Sequence, residues 1–355
     1  MVAKGISYLQ EETMRAYVVR QFGVNNLEQI DLPMLQIAAG MVLIRVHAVS
    51  LNYRDLMVVK GTYNPRMALP RIPCSDGAGE VVAVGEGVDK VKVGDRVCGI
   101  FMQRWLDGPL TAEKSKGALG GDADGMLTEY VLLKEEGVVS FPKHLSYEEA
   151  ATLPCAAVTA WNALHYAGDP RDPARSGETI VIQGTGGVSV FALQFGKLMG
   201  GRVIGTSSSE AKLGRARGLG LDAGCNYRER PERWKWILEM TDGVGADRII
   251  EVGGAGTFGQ SLRAARVGSL IAQIGVLSGG ATQEPLTLTP ILHKQLRIQG
   301  IYVGSRVMFE EMNTVIAAEQ MHPVVDSMFG FDEAREAFAH MESGSHFGKI
   351  VIRVA

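Results

Sequence analysis

The run TIVIQGTGGVSVFALQFGKLM, residues 179–199, constrains the fold more than any other stretch of the chain. A short apolar run enters a glycine turn. The residues beyond it carry helical spacing, with Val188, Phe191, Ala192, Phe195 and Leu198 on one face. A strand that passes into a helix through glycines is a cradle for a dinucleotide. Gly184 permits the tight turn, and Gly186 lets the backbone approach pyrophosphate. The N–H groups along Thr185, Gly187 and Val188 then face the phosphates at the helix start. Ser189 stands where the third glycine of the G-x-G-x-x-G pattern falls, so helix and strand should pack slightly more loosely. A glycine turn in any α/β protein gives the same local pattern, and the rest of the chain has to decide between the two.

The residues after Thr179 continue to alternate. Strands are expected at 202–206, ending at 225–227, and at 246–252, 269–275 and 296–302, with helices over 210–218 and 230–240 between them. Six strands in this rhythm make a doubly wound parallel sheet. The first hundred residues read differently, as short strands punctuated by glycine: a hairpin over 14–31 turning near Gly23–Asn26, a strand at 41–50, a loop and strand over 72–85, and a turn and strand over 91–97. That is a small antiparallel β unit. A short helix should start near Asn52. Residues 101–126 form a long loop with Trp105 and several glycines, either a surface insertion or an active-site cover. Ser146 and Glu149 form a capping box for a helix that Pro154 disturbs and that ends near Gly168–Pro170. A helix over 331–341 and a strand over 349–354 close the chain, the strand returning to the first unit. The fold class is therefore α/β with two domains, 1–150 with 303–355, and 151–302.

Composition narrows the function classes. The chain has 355 residues, 46% hydrophobic, with a formal net charge of −3, which suits two cores and gives no electrostatic case for nucleic acid or an anionic membrane. No apolar run reaches the roughly 20 residues a transmembrane helix needs. Met1–Thr13 reads as a loose tail and not a signal peptide. Cys74, Cys98, Cys155 and Cys225 lie far apart, which argues against a disulfide framework or a zinc knuckle and for a cytoplasmic location.

Several motifs occur together in one order: GAGEVVAVG at 77–85, VGDRV at 93–97, Leu153–Pro154 with Thr159–Ala160, the turn at 184–189, and GKI at 348–350. The chain resembles, over nearly its whole length, the medium-chain dehydrogenase/reductase superfamily. Within it the resemblance is to zinc-free quinone oxidoreductases and related alkene reductases. It implies a GroES-like antiparallel β domain beside a Rossmann domain, with the site in the cleft between them. Zinc alcohol dehydrogenases of the superfamily carry Cys where this chain has Asn52, and His-Glu where it has Ser75–Asp76; only Cys155 matches a ligand. The lobe that binds their structural zinc would fall in 101–126, which has no cysteine. A catalytic zinc needs three protein ligands, so no metal is expected. Cys155 is then a small buried side chain near the cofactor, or a thiol with a catalytic role.

The resemblance also implies a cofactor site. No acid stands at the tip of the second strand of the alternating unit; Ser207 and Ser208 do. Lys212 and, fifteen residues on, Tyr227 reproduce a pair that flanks the 2′-phosphate in quinone reductases, which favours NADPH over NADH. On the other reading Lys212 is a solvated helix residue and the serines cap the helix near Glu210. Thr159 should lie near the nicotinamide carboxamide. Gly253, Gly275, Val276 and Leu277 end two strands on the ligand side, and Tyr302 and Val303 should border the nicotinamide. Lys349 is a candidate pyrophosphate or cross-domain contact.

For the substrate, Asn52 is the candidate oxyanion donor, with Tyr53 and Tyr63 as candidate proton donors. The tyrosine usual in quinone reductases is Met57 here, so water is an alternative donor. Asp55 should tie loops together, and His47 and His165 read as structural. The expected activity is zinc-independent hydride transfer from NADPH to a quinone or an α,β-unsaturated carbonyl. The rivals are an alcohol dehydrogenase or carbonyl reductase of the same superfamily, and a non-catalytic NADPH-binding protein. The resemblance implies a homodimer, paired through the open sheet edge expected near 296–302.

Overall fold

The computed structural model describes residues 12–167, 172–277 and 287–355. The tail expected before Glu12 and the helix end at Gly168–Pro170 lie outside them. In chain order the elements are β1 (Thr13–Val19), β2 (Leu27–Pro33), β3 (Met41–Leu51), α1 (Tyr53–Val59), β4 (Asp76–Val84), β5 (Arg96–Gly99), β6 (Tyr130–Lys134), β7 (Val138–Ser140), α2 (Tyr147–Ala150) and α3 (Val158–His165). There follow β8 (Thr179–Gln183), α4 (Gly187–Leu198), β9 (Arg202–Ser207), α5 (Glu210–Gly218), β10 (Ala223–Asn226), α6 (Arg233–Met240), β11 (Ala246–Glu251), α7 (Ala255–Ala264), β12 (Ala265–Gln273), α8 (Thr289–His293) and β13 (Arg297–Gly300). The chain closes with α9 (Arg306–Ala318), β14 (Val325–Gly330), α10 (Ala334–Ser343) and β15 (Lys349–Arg353).

These elements form two compact units, Met1–Val158 with Gly304–Ala355, and Thr159–Val303. In the first, β1 and β2 are the expected antiparallel hairpin. A larger sheet has the order β14-β15-β3-β4-β5-β7, with β6 also on β3. Its centre is β3, whose apolar residues Val42, Ile44, Val46, Val49 and Leu51 are buried against Val81, Val97, Phe338 and Ile350. The closing strand β15 pairs antiparallel with β3, setting Ile350 opposite Leu51. Strand β14, parallel to β15, escaped the sequence reading because its half-exposed residues show no clean alternation. Pro154 acts as expected: α2 stops at Ala150, and residues 153–157 form a wider π-type turn before α3. The capping box forms, with Glu149 N–H donating to Ser146 Oγ at 3.2 Å and Ser146 N–H to Glu149 Oε2 at 2.8 Å.

The loop at 101–126 is folded within the first unit. Phe101, Met102, Trp105, Leu119 and Met126 are buried. Trp105 Nε1 donates to Gly108 O at 2.8 Å, and Trp105 O accepts from Arg306 N at the start of α9.

The second unit holds six parallel strands in the order β10-β9-β8-β11-β12-β13. From β8 the chain steps outward to β9 and β10, then crosses to β11 and steps outward the other way. All of β8 is buried, as a central parallel strand must be. Among the described residues no helix is long and apolar enough to cross a membrane.

Candidate active site

The strand order reverses between β8 and β11, and an open sheet binds ligands beyond the C-terminal ends at such a point. Gly184 follows β8 with φ 69°, a left-handed conformation suited to glycine, and its N–H donates to Thr206 O at 2.7 Å. Gly186 is extended, and a Cβ built on it would meet nothing within 4 Å among the described residues. Helix α4 starts there with no side-chain cap, and the N–H groups of Gly187 and Val188 have no acceptor among the described residues. Thr185 is buried in the turn. Ser189 Oγ donates to Gln183 O at 2.7 Å, so the serine that replaces a glycine ties the helix to the strand end.

A buried carboxylate holds the neighbouring strand end. Glu251 Oε1 accepts from Gly253 N and Gly254 N, each at 2.9 Å, and from the Thr257 hydroxyl. Its Oε2 accepts from the Ser261 hydroxyl and from Gln183 Nε2, the latter at 2.7 Å. Five donors offset the cost of burying the charge. A Cβ on Gly275 would meet Val252 O at 1.9 Å, so the turn after β12 needs glycine to lie against the turn after β11. Val276 and Leu277 are left exposed beside it. Past β13, Val303 adopts φ 58°, a strained value for a β-branched residue, and its carbonyl accepts from Asn162 Nδ2 at 2.7 Å. Tyr302 beside it is partly exposed, and Thr159 is buried in α3.

At the tip of β9, Ser207 is buried and its Oγ accepts from Ser209 N at 3.3 Å. Ser209 caps α5 by accepting from Lys212 N at 3.4 Å. Capping thus describes Ser209, whereas Ser207 and Ser208 stay at the strand tip. Tyr227 N donates to Ser207 O at 3.0 Å, which brings Tyr227 to the same place.

The first unit contains a buried polar cluster assembled from four segments. Lys349 Nζ donates to Leu51 O at 2.6 Å and to Asn52 Oδ1 at 2.5 Å. With its oxygen so engaged, Asn52 turns Nδ2 toward Ser75 Oγ, 3.4 Å away. Ser75 Oγ donates to Asp76 Oδ1 at 2.7 Å, and Cys155 N to Asp76 Oδ2 at 3.0 Å. Asp55 is wholly buried and does tie loops: it accepts from Asn52 N at 2.9 Å, Ser75 N at 3.3 Å and Arg54 Nη1 at 3.3 Å. Burial raises the Asp76 carboxyl to about 6 against the opposing pull of Lys349, and raises Asp55 against Arg54. Burial, with Asp76 adding to it, pushes the Cys155 thiol far up, so it stays protonated. Tyr53 and Tyr63 are 45% and 38% exposed, and Arg54 lies over the Tyr63 ring. His47 stacks on Tyr147 and His165 on Trp161, with burial lowering both.

The sequence reading did not single out Gln183, Glu251 and Asn162 as site residues. A charge directly after the apolar pair Ile249–Ile250, at the end of the strand ADRIIE, was the one available signal for Glu251. Asn162, on a buried helix, gave none. Among the described residues no group of three or more His, Cys, Asp or Glu side chains is arranged to hold a metal ion.

Comparison with known proteins gives a consistent lineage. Residues 38–143 match the model of the alcohol dehydrogenase GroES-like domain and residues 187–318 that of the zinc-binding dehydrogenase domain. A zinc-type alcohol dehydrogenase-like protein of Schizosaccharomyces pombe is 42% identical over 92% of this chain and 94% of its own length. The chain belongs to the medium-chain dehydrogenase/reductase superfamily. Its superfamily relatives include a solved structure, a putative alcohol dehydrogenase of Sinorhizobium meliloti, with TM-score 0.89 and 40% identity over 97% of this chain and all of that one. A 2-methylene-furan-3-one reductase of Solanum lycopersicum is 29% identical over 96% of this chain and 79% of its own length. Membership makes the protein an oxidoreductase with a GroES-like unit and a Rossmann unit.

Proposed function

We propose that this oxidoreductase is a zinc-independent, NADPH-dependent reductase acting on a quinone or an α,β-unsaturated carbonyl. The observation that carries the reading is the Lys349 ammonium on Asn52 Oδ1. The donor set around it does not suit zinc. At the three positions that hold zinc ligands in zinc-binding members stand an amide, a hydroxyl beside the Asp76 carboxyl, and a thiol; the amide and the hydroxyl are poor zinc ligands, and a buried ammonium bonded to the amide repels a divalent ion. Without a Lewis acid, oxidation of a simple alcohol lacks its electrophile. A conjugated acceptor spreads the incoming charge and needs less help.

When bound, the nicotinamide supplies a hydride; the protein's own groups then have three tasks. The open space at Gly186 and the free N–H groups of α4 suit a pyrophosphate. The absence of an acid at the tip of β9, with Ser207, Lys212 and Tyr227 there instead, supports a 2′-phosphate. Val276 and Leu277 offer an apolar wall for a flat ring. On the acceptor side, Asn52 Nδ2 is oriented as a donor because Lys349 holds the amide oxygen, and it suits an enolate or hydroquinone oxygen. The exposed phenols of Tyr53 and Tyr63, or water, supply the proton. The name of the tomato relative, a reductase of a conjugated methylene ketone, favours this acceptor class. The alcohol dehydrogenase names of other relatives favour the rival, a carbonyl–alcohol couple.

Stopped-flow oxidation of NADPH and NADH against quinones, enones, enals and aldehydes tests the reading. Turnover of conjugated acceptors with NADPH, in protein that carries no stoichiometric zinc, is the expected result. A preference for NADH, or zinc-dependent oxidation of simple alcohols, would overturn it. We also propose a homodimer through the edge of β13, where Ile298 is 38% exposed. Sedimentation velocity should show a dimer that Ile298→Lys splits, and a wild-type monomer at micromolar concentration would sink the proposal.

A further inference from the structure

Arg233 is the first residue of α6; its backbone N–H donates to Pro231 O at 3.0 Å, and its side chain makes no hydrogen bond or ion pair with any described residue. Its guanidinium carbon lies 5.2 Å from the centroid of the Tyr227 ring, a stacking contact that leaves the in-plane N–H donors free. The side chain is half-buried, and burial lowers its pKa although Glu251 pulls the other way. A cation that is desolvated, stacked and unpaired wants an anion. Two further atoms nearby lack partners among the described residues: Thr206 Oγ1 and Gln260 Oε1 are buried without a hydrogen bond there, and both residues line the same small hollow as Arg233. The hollow lies beside the tip of β9, because Thr206 directly precedes Ser207 and Tyr227 N is bonded to Ser207 O. The Arg233 guanidinium and the Thr206 hydroxyl are donors at one strand end and suit an anionic ligand, whereas Gln260 Oε1 is an acceptor and speaks only for a polar one.

We infer that Arg233 binds the phosphomonoester on the adenosine ribose of the cofactor, with Tyr227 as the platform that presents it. The inference rests on the NADPH reading above and adds a residue to it that the Lys212–Tyr227 spacing does not contain. A guanidinium matches two phosphate oxygens at once, and its planar fork is already held by the ring. Arg233 then discriminates between a phosphorylated and a plain ribose, whereas the α4 cradle treats both alike.

Titration calorimetry with 2′,5′-ADP and with 5′-AMP separates the possibilities. The wild type should bind 2′,5′-ADP more tightly than 5′-AMP. Arg233→Ala should weaken 2′,5′-ADP by about ten- to a hundredfold, the range for a lost charge-assisted pair, and leave 5′-AMP within about twofold. Arg233→Lys should fall between them, since it keeps the charge and loses the fork. The salt dependence of 2′,5′-ADP binding should also flatten in Arg233→Ala, which a purely structural role would not produce. If the wild type shows no preference for 2′,5′-ADP, the NADPH reading itself fails. If the preference exists and survives in Arg233→Ala, or if both nucleotides weaken equally, only the assignment of Arg233 is overturned.

Discussion

Replacing Lys349 by methionine tests the buried cluster most directly. The change keeps much of the side-chain length and removes the ammonium. Two acceptors then lose their donor, Leu51 O and Asn52 Oδ1, both inside the protein. Orphaning a buried acceptor costs about 1–3 kcal/mol. The larger effect falls on Asp76, which is fully buried and whose ionised form Lys349 favours. Lys349 makes no ion pair with Asp76 but favours its charge from a distance, so losing the ammonium adds to the cost only when Asp76 is ionised. That cost depends on pH in a definite direction. The Asp76 carboxyl already stands at about 6, and without the lysine it moves higher. At pH 5 it is protonated with or without the lysine, so only the orphaned acceptors count, about 1–3 kcal/mol. At pH 8 the wild type ionises it, and the variant must bury a lone charge or hold a proton. The destabilisation should therefore be larger at pH 8 than at pH 5. Urea titration followed by fluorine NMR of 5-fluorotryptophan reads the relevant unit, since Trp105 lies in the first unit and Trp161, Trp234 and Trp236 in the second. Asp76→Asn in the same background should recover stability at pH 8. Equal losses at both pH values, or a loss below about 1 kcal/mol, would show that Lys349 and Asp76 are not coupled.

Three further outcomes follow from the second unit. Gly186→Val places its side chain in open space, so thermal stability should change little while affinity for any dinucleotide falls at least about tenfold; a variant that melts early would contradict the geometry. Glu251→Gln turns an acceptor-only group into one carrying two N–H donors among five existing donors, and should cost about 3 kcal/mol or more. Hydrogen exchange should quicken at Gly253 and Gly254, and unchanged protection there would refute the anchoring role. His165 is held at about 4 by burial, with Arg248 adding to it. The unfolded chain binds the extra proton near pH 6.5, so the stability linked to this group is present above that value and lost as pH falls through 4, up to about 3 kcal/mol. His165→Gln should flatten stability between pH 7 and 4, and an unaltered slope would remove the histidine from the account.

The parts of the molecule that the sequence disclosed are those whose cause is local. The cradle at 179–199 was readable because a left-handed Gly184, an unobstructed Gly186 and a helix start are properties of adjacent residues. The capping box at Ser146 and the break at Pro154 are local in the same sense. Strand β14 was not readable because its half-exposed residues obey no period. The partners of buried charges were unreadable for a different reason. Asn52 and Lys349 are separated by 297 residues, and nothing in either neighbourhood says that the ammonium turns toward the amide and not toward a phosphate. The same holds for Asn162 and the strained Val303, joined across 141 residues.

That separation has a consequence for how the site comes into being. Lys349 opens β15, and the antiparallel register that sets Ile350 opposite Leu51 is what carries the amine to Leu51 O and Asn52 Oδ1. Until the last strand docks on β3, Asn52 has no cation to orient its amide and Asp76 lacks the ammonium that favours its charge. The first unit also has to receive Gly304–Ala355 after the whole second unit has intervened in the chain. The buried cluster is therefore complete only once β15 has paired with β3, and its electrostatics depend on a pairing between residues 297 positions apart. A chain cut before β15 would keep the glycine cradle of the second unit, which needs no residue beyond Val303, and lose the oriented amide. Binding of dinucleotide without turnover by such a chain is what this dependence requires.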